Sequence, residues 1–391
     1  MKSLLALVLT SIVSLAFAQQ KGTIIQTDQV QQAVARGAII WDVRDEKSYL
    51  EGHIPGAINI GEIGSVLRDP NKEDYIPTEQ IQKLFNNAGL DVNKDIVVYG
   101  ARGNPYTYFG LYTVNYFGGK NAQVYHDGID GWKQAGLPIQ KERQTLPPVS
   151  VALIAQPQLV VTNEEMRKIA QSKSVQIIDA RTPDEYSGKD VRTIRGGHIP
   201  NAINIPFEDN WQDPATAIKL GKKQVSDNSG MALKNQTDLK QLYAKLDPDK
   251  ETVVYCQSGV RAAETATVLK TLGFKKVKVY DSSWLGWGNN LSAPVENETF
   301  LNVGALNAKM AAMQNKINQL EEALKNKNNW FTVMHEWNVG KFNPFLHPIH
   351  PQSLSIATPN LYAEPFYIEE GSVCKYRLSA PIRHYVSLRS S

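Results

Sequence analysis

Hydrophobic positions fall into short, near-continuous runs separated by longer amphipathic stretches. The runs at 39–43, 96–99 and 122–125 are rich in β-branched residues, and runs of the same kind recur at 175–178, 252–255 and 276–280. Four or five consecutive apolar residues with no polar alternation predict strands buried on both faces, as in a parallel sheet. Between them, helical spacing predicts helices over Thr78–Ala88 and Tyr106–Phe117, then over Gln236–Leu246 and Val260–Leu272. Strands alternating with helices define an α/β chain with crossover connections.

The two sets of runs are one unit written twice. Ile39-Ile40-Trp41-Asp42-Val43-Arg44 returns as Gln176-Ile177-Ile178-Asp179-Ala180-Arg181, and YLEGHIPGAINI at 49–60 returns as GHIPNAINI at 197–205. Ile96-Val97-Val98-Tyr99 matches Thr252-Val253-Val254-Tyr255, and Val124-Tyr125 with Trp132 matches Val279-Tyr280 with Trp284 or Trp287. Ordered matches of this kind are the signature of a tandem duplication. The reading assigns one domain to 23–140 and a second to 159–296. They are joined by a linker at 141–158 that carries Pro147, Pro148 and Pro157.

The two ends depart from this pattern. Residues 1–18 combine Lys2, an apolar run and Ala16-Phe17-Ala18, the layout of an export signal peptide. The expected location is therefore outside the cytoplasm, in the periplasm or secreted. Toward the other end, Val303, Leu306, Met310, Met313, Ile317, Leu320 and Leu324 recur at alternating spacings of 3 and 4. That is an a/d seam, predicting a coiled-coil-like helix over 300–327 and self-association through 303–324. Residues 328–391 form a tail without an assigned role, a candidate contact for an envelope partner. Its alternation over 372–388 predicts strands that could pair as a hairpin.

Composition narrows the function. With 42 Lys+Arg against 39 Asp+Glu, the net charge is +3, which argues against nucleic acid as a partner. Two cysteines exclude a disulfide scaffold and a Cys-rich metal framework. His335, His347, His350 and Cys374 follow no metal-ligand spacing, so neither a metal nor another cofactor is expected. His53 and His198 occur in both copies and read as structural hydrogen-bonding residues. Trp284 and Trp287 read as core or cleft wall.

The chemistry concentrates at Cys256. The strand ending at Tyr255 runs into Cys256-Gln257-Ser258-Gly259-Val260-Arg261 and then a helix. A short Gly-containing loop at a helix N-terminus aims successive N–H groups inward and makes an anion nest. Such a setting favours a thiolate, and equally the negative outer sulfur of a persulfide. In the first copy the aligned position is Gly100, followed by Ala101-Arg102-Gly103-Asn104-Pro105, so one reactive site per chain is expected. A cysteine phosphatase needs Cys-x5-Arg; here Ala262 stands at that place and the arginine one position earlier.

These residues resemble the rhodanese family, in particular the tandem-domain thiosulfate and 3-mercaptopyruvate sulfurtransferases. Tyr49-x-x-x-His53-Ile54-Pro55-Gly56-Ala57-x-x-Ile60 fits one family signature throughout. Residues 279–287 fit the second more loosely, with Ser282 and Gly286 where Gly and Glu are usual. The resemblance implies a fold of two tandem rhodanese-like domains, each a mostly parallel sheet flanked by helices, followed here by the long helix and an irregular or β tail. It implies Cys256 as persulfide carrier, with the backbone of Gln257, Ser258, Gly259, Val260 and Arg261 as cradle. It also implies that Arg181, oriented by Asp179, helps bind the anionic donor. Arg261 is a natural second anion contact and tips the reading toward thiosulfate, with cyanide or a thiol as acceptor. Mercaptopyruvate as donor and a non-catalytic envelope scaffold stand as alternatives, as does a Cys256–Cys374 disulfide that would make the tail a lid or resolving arm.

Overall fold

The computed structural model describes residues 22–69 and 74–339, with side chains through 326. The leader at 1–18, Cys374, the His335, His347 and His350 side chains, and the alternation over 372–388 lie outside what is described.

Two four-stranded sheets carry the fold. The first contains β1 (Ile39–Asp42), β2 (Ile58–Asn59), β3 (Ile96–Tyr99) and β4 (Ala122–Tyr125), in the order β2-β1-β3-β4. The second contains β5 (Gln176–Asp179), β7 (Ala202–Asn204), β8 (Glu251–Tyr255) and β9 (Lys276–Val279), in the order β7-β5-β8-β9. Every pairing in both sheets is parallel, and Asp42 lies opposite Tyr99 just as Asp179 lies opposite Tyr255. The identical order and register are the duplication seen in three dimensions. A small antiparallel ribbon joins β6 (Arg195–His198) to β10 (Glu296–Phe300), where the first copy has the single antiparallel bridge His53–Gln140.

The copies meet through two helices, Tyr106–Tyr116 and Val260–Thr271. The first is aromatic-rich, and every residue from Thr107 to Val114 is buried. Its own sheet covers one side and the second copy the other, which is why its apolar character runs all round instead of forming a stripe. The second answers with small residues: Ala262, Ala263 and Ala266 share one continuous hydrophobic cluster with Tyr108, Phe109 and Tyr112. Large rings against alanines let the helix surfaces interdigitate. The stretch 141–158 is packed along the first copy. Val151 N–H donates to Asn86 Oδ1 at 3.1 Å, Leu153 N–H to Gln82 Oε1 at 2.9 Å, and Gln156 N–H to the Tyr116 carbonyl at 2.8 Å.

The chain divides into two compact units after Asn307. A helix of 37 residues, Val303–Val339, crosses that division. The seven seam side chains from Val303 to Leu324 lie between 42% and 60% exposed.

Candidate active site

Many repeated residues turn out to build the same scaffold in each copy. Asp179 receives Arg181 Nε at 3.0 Å and Nη2 at 2.6 Å, and Arg181 Nη2 also reaches the Gly197 carbonyl at 2.7 Å. In the first copy Arg44 holds Asp42 at 3.0 and 2.6 Å and the Gly52 carbonyl at 2.9 Å. The tyrosine closing each central strand accepts the N–H of the residue after the histidine, Ile54 to Tyr99 at 3.0 Å and Ile199 to Tyr255 at 3.1 Å. Each histidine stacks on a tyrosine, with centroids 3.9 Å apart for Tyr49–His53 and 3.6 Å for Tyr186–His198.

The Arg181 side chain is tied into this scaffold. It is 1% exposed, its Nε and Nη2 are engaged with Asp179 and Gly197, and its guanidinium lies 4.3 Å from the Trp284 ring. Arg44 performs the same task in a copy without a thiol, so both arginines serve to lock the end of a strand to the loop preceding the histidine.

Cys256 is buried at the end of β8. Its N–H donates to Ser283 Oγ at 3.1 Å, while Ser283 Oγ–H donates to the Tyr280 carbonyl at 2.7 Å. Trp284 N–H takes the Cys256 carbonyl at 2.9 Å, and Leu285 N–H takes that of Gln257 at 2.9 Å. The loop is thus tied from outside by the segment after β9. The backbone N–H groups of residues 257–262 have no acceptor among the described residues. They combine the loop amides with the free first turn of the helix Val260–Thr271, a donor set suited to negative charge on sulfur. Gly259 is required twice over: φ is +83°, and a Cβ there would overlap Asp281 Oδ1.

A pocket of about 370 Å³ opens onto this loop, bordered by Gln257, Ser258, Val260 and Arg261. Arg261 stands at its edge, but its fork is closed on Glu185, with Nη1 and Nη2 donating at 2.7 and 2.8 Å. The residue that the sequence offers as a second anion contact is thus partnered by a carboxylate. Burial works to raise the Glu185 pKa, but the hydrogen bonds and charge of Arg261 overrule it and hold the carboxyl at about 2. Glu208, nearby and without such a fork, is pushed by burial to about 7 despite Arg261.

The opposite wall comes from the first copy and was not foreseen from sequence. Glu62, Ser65 and Arg68 border the same pocket. The Arg68 guanidinium lies 4.8 Å from the Phe109 ring and 5.6 Å from the Tyr75 ring, with Nη1 3.6 Å from Asp281 Oδ1. Burial opposes its charge, and Asp281, Tyr75, Asp74 and Cys256 together outweigh it. No motif marks Arg68, because its importance comes only from the docking of one copy on the other.

In the first copy the corresponding loop is closed. A Cβ on Gly100 would lie 2.8 Å from Thr107 Oγ1, so the space of the missing thiol is filled. The following helix begins two residues later, after Pro105, which has no N–H to offer. Arg102 N–H donates to Asp130 Oδ2 at 2.8 Å, and Asn228 of the second copy donates to the same oxygen at 2.9 Å. The chain's own carboxylate occupies this loop.

A parallel α/β unit used twice, with a cysteine at one strand-to-helix loop and none at the other, defines the class. The chain belongs to the rhodanese family of sulfurtransferases: the rhodanese-like domain matches at 26–135 and again at 162–290. It is similar to a thiosulfate sulfurtransferase of Corynebacterium glutamicum, 34% identical over 265 residues, spanning 64% of this chain and 82% of that one. Among solved structures it shares the fold of an anaerobic ergothioneine biosynthesis enzyme from Chlorobium limicola. There the TM-score is 0.59 at 21% identity, covering 70% of each chain.

Proposed function

We propose that the protein transfers the outer sulfur of thiosulfate to a thiophilic acceptor through a persulfide on Cys256. The observation that carries this reading is the buried Cys256 beside a run of backbone N–H groups without acceptors among the described residues, with Gln257, Ser258, Val260 and Arg261 of the same loop bordering a pocket. The Cys256 thiolate attacks the outer sulfur of thiosulfate; the S–S bond breaks and its electron pair leaves on sulfite. The outer sulfur of the persulfide then bears the negative charge, which the loop amides suit. Cyanide carbon, or a thiolate, attacks that sulfur, the Cys256 thiolate leaves, and thiocyanate or a new persulfide departs. The kinship with the Corynebacterium glutamicum thiosulfate sulfurtransferase supports thiosulfate as donor. The test is release of thiocyanate from thiosulfate plus cyanide by the purified protein. Turnover no faster than that of Cys256→Ser overturns the reading.

Export and pairing complete the proposal. The leader layout at 1–18 supports action outside the cytoplasm. The exposed seam supports a parallel two-stranded coiled coil between two copies. Val303 and Ile317 fall at a with Leu306 and Leu320 at d, the arrangement that favours two parallel strands. Lys316 at g faces Glu321 at e of a parallel partner, whereas an antiparallel partner would bring the g-position Lys309 and Lys316 together. Light scattering on the full chain and on a chain ending at residue 301 should read a dimer and a monomer. A monomer in both removes the pairing.

A further inference from the structure

Arg181 is tied to Asp179 and Gly197 and Arg261 to Glu185, so the other cations beside the loop are candidates for the anion contact. Among the described residues, two further cations border the pocket. Arg192 is half exposed at its mouth and already shares Glu185 at 3.2 Å. Arg68 is different: its side chain is 4% exposed, and neither Nε nor Nη1 has a hydrogen-bond acceptor. The nearest carboxylate oxygen, on Asp281, stands 3.6 Å from Nη1, beyond hydrogen-bond length, and is itself without a hydrogen bond. Leaving charged donors buried and unmade is costly. The arrangement persists because Phe109 and Tyr75 hold the guanidinium by its face and the packing of the two copies fixes its position.

We infer that Arg68, contributed by the copy that carries no thiol, is the binding residue for the oxyanion end of the sulfur donor. The ligand class is a small tetrahedral sulfur oxyanion of the thiosulfate type. Its outer sulfur would face Cys256, and its oxygens would meet the Arg68 guanidinium at the pocket wall, one of them supplying the acceptor that Nε or Nη1 lacks. When the S–S bond breaks, charge moves onto the departing sulfite, and Arg68 stands where that charge develops. The silent copy thus supplies half of the site. This assignment deepens the proposed function and rests on it for the identity of the donor.

Thiosulfate binding to the Cys256→Ser full-length chain, followed by calorimetry, tests the assignment without requiring turnover. Arg68→Met in that background should weaken binding by roughly 10–100-fold, the usual effect of losing hydrogen bonds to a charged group. Arg68→Lys retains charge without the fork and should recover part of the loss. With Cys256 present, Arg68→Met should raise KM for thiosulfate while leaving discharge of a preformed persulfide to cyanide within about two-fold, a split that general damage to the fold would not produce. Equal affinity in all three Cys256→Ser proteins, or no binding in any, overturns the assignment. A protein that binds thiosulfate through Arg68 yet releases no sulfite upholds the assignment and overturns the sulfurtransferase reading instead.

Discussion

The Gly100 loop and the Cys256 loop descend from one unit and sit at equivalent strand ends, yet only one is equipped for chemistry. Around both, the scaffold is the same: Asp42–Arg44 and Asp179–Arg181 close at 2.6 Å, and each strand-end tyrosine accepts the N–H after its histidine. The differences are local. The first loop lacks the thiol, contains Pro105 and is filled by the Asp130 carboxylate; the second leaves its amides open. What repeats is therefore mostly what folds, and what does not repeat is what reacts. Recurrence in a silent copy is direct evidence that a motif residue is structural.

Each copy also covers the other's loop. Arg68, on the segment after β2, faces Cys256, while Asn228 and Met231, on the longer segment after β7, cover Arg102 and Gly103. The silent copy is consequently part of the active one, and the two cannot be separated without opening the pocket.

The largest expected effect comes from trying to move the reagent. A Gly100→Cys, Cys256→Ser chain should turn over at least ~10³-fold more slowly than the parent in a thiocyanate assay, because a thiol alone does not remake the cradle. Recovery of substantial activity would mean that the two loops are interchangeable. Next are the paired arginines. Arg44→Met and Arg181→Met should each cost about 3–5 kcal/mol in denaturant unfolding, since each strands a buried aspartate. A rise in KM for Arg181→Met without loss of stability would establish its role as a donor contact.

The pH dependence of stability separates the copies further, because Glu208 belongs only to the second. Its folded pKa of about 7 lies above the ordinary 4.5, so between those values the native state holds more protons than the unfolded one. Its contribution is complete below 4.5 and is lost as pH rises through 7, up to about 3 kcal/mol. Glu208→Gln should flatten unfolding free energy over that window. Glu185 works in the opposite sense, adding stability above its ordinary pKa that is lost as pH falls through about 2.

The smallest effect is also the most local. Leu285 stands where Asp130 stands in the first copy, an equivalence set by Trp284 N–H on the Cys256 carbonyl and Ile129 N–H on that of Gly100. Leu285→Asp should introduce a competing carboxylate and lower kcat/KM for thiosulfate by about 10-fold, roughly one hydrogen bond to a charged group. No change would show that Asp130 is a consequence of the silent loop and not a plug.

The sequence by itself determined the α/β class, the duplication, the thiol at Cys256 and its absence at Gly100. Each of these is written in local spacing: buried strands as apolar runs, the nest as a Gly-containing strand-to-helix loop, the silent copy as an aligned glycine. Helix ends differ from the spacing, by four residues at Gln236–Leu242 and by twelve at the far end of Val303–Val339, because termini answer to more than the apolar pattern. Tertiary structure alone decided which charges are free. Arg181 is closed on Asp179, its neighbour two residues back, whereas Arg261 looks available along the chain and is closed on Glu185, which folding brings alongside. Arg68 carries no motif, yet it reaches the pocket because an aromatic helix of one copy packs on an alanine-rich helix of the other. Whether a charge is spent or open depends on what lies within hydrogen-bond reach, and that is a property of the packed molecule.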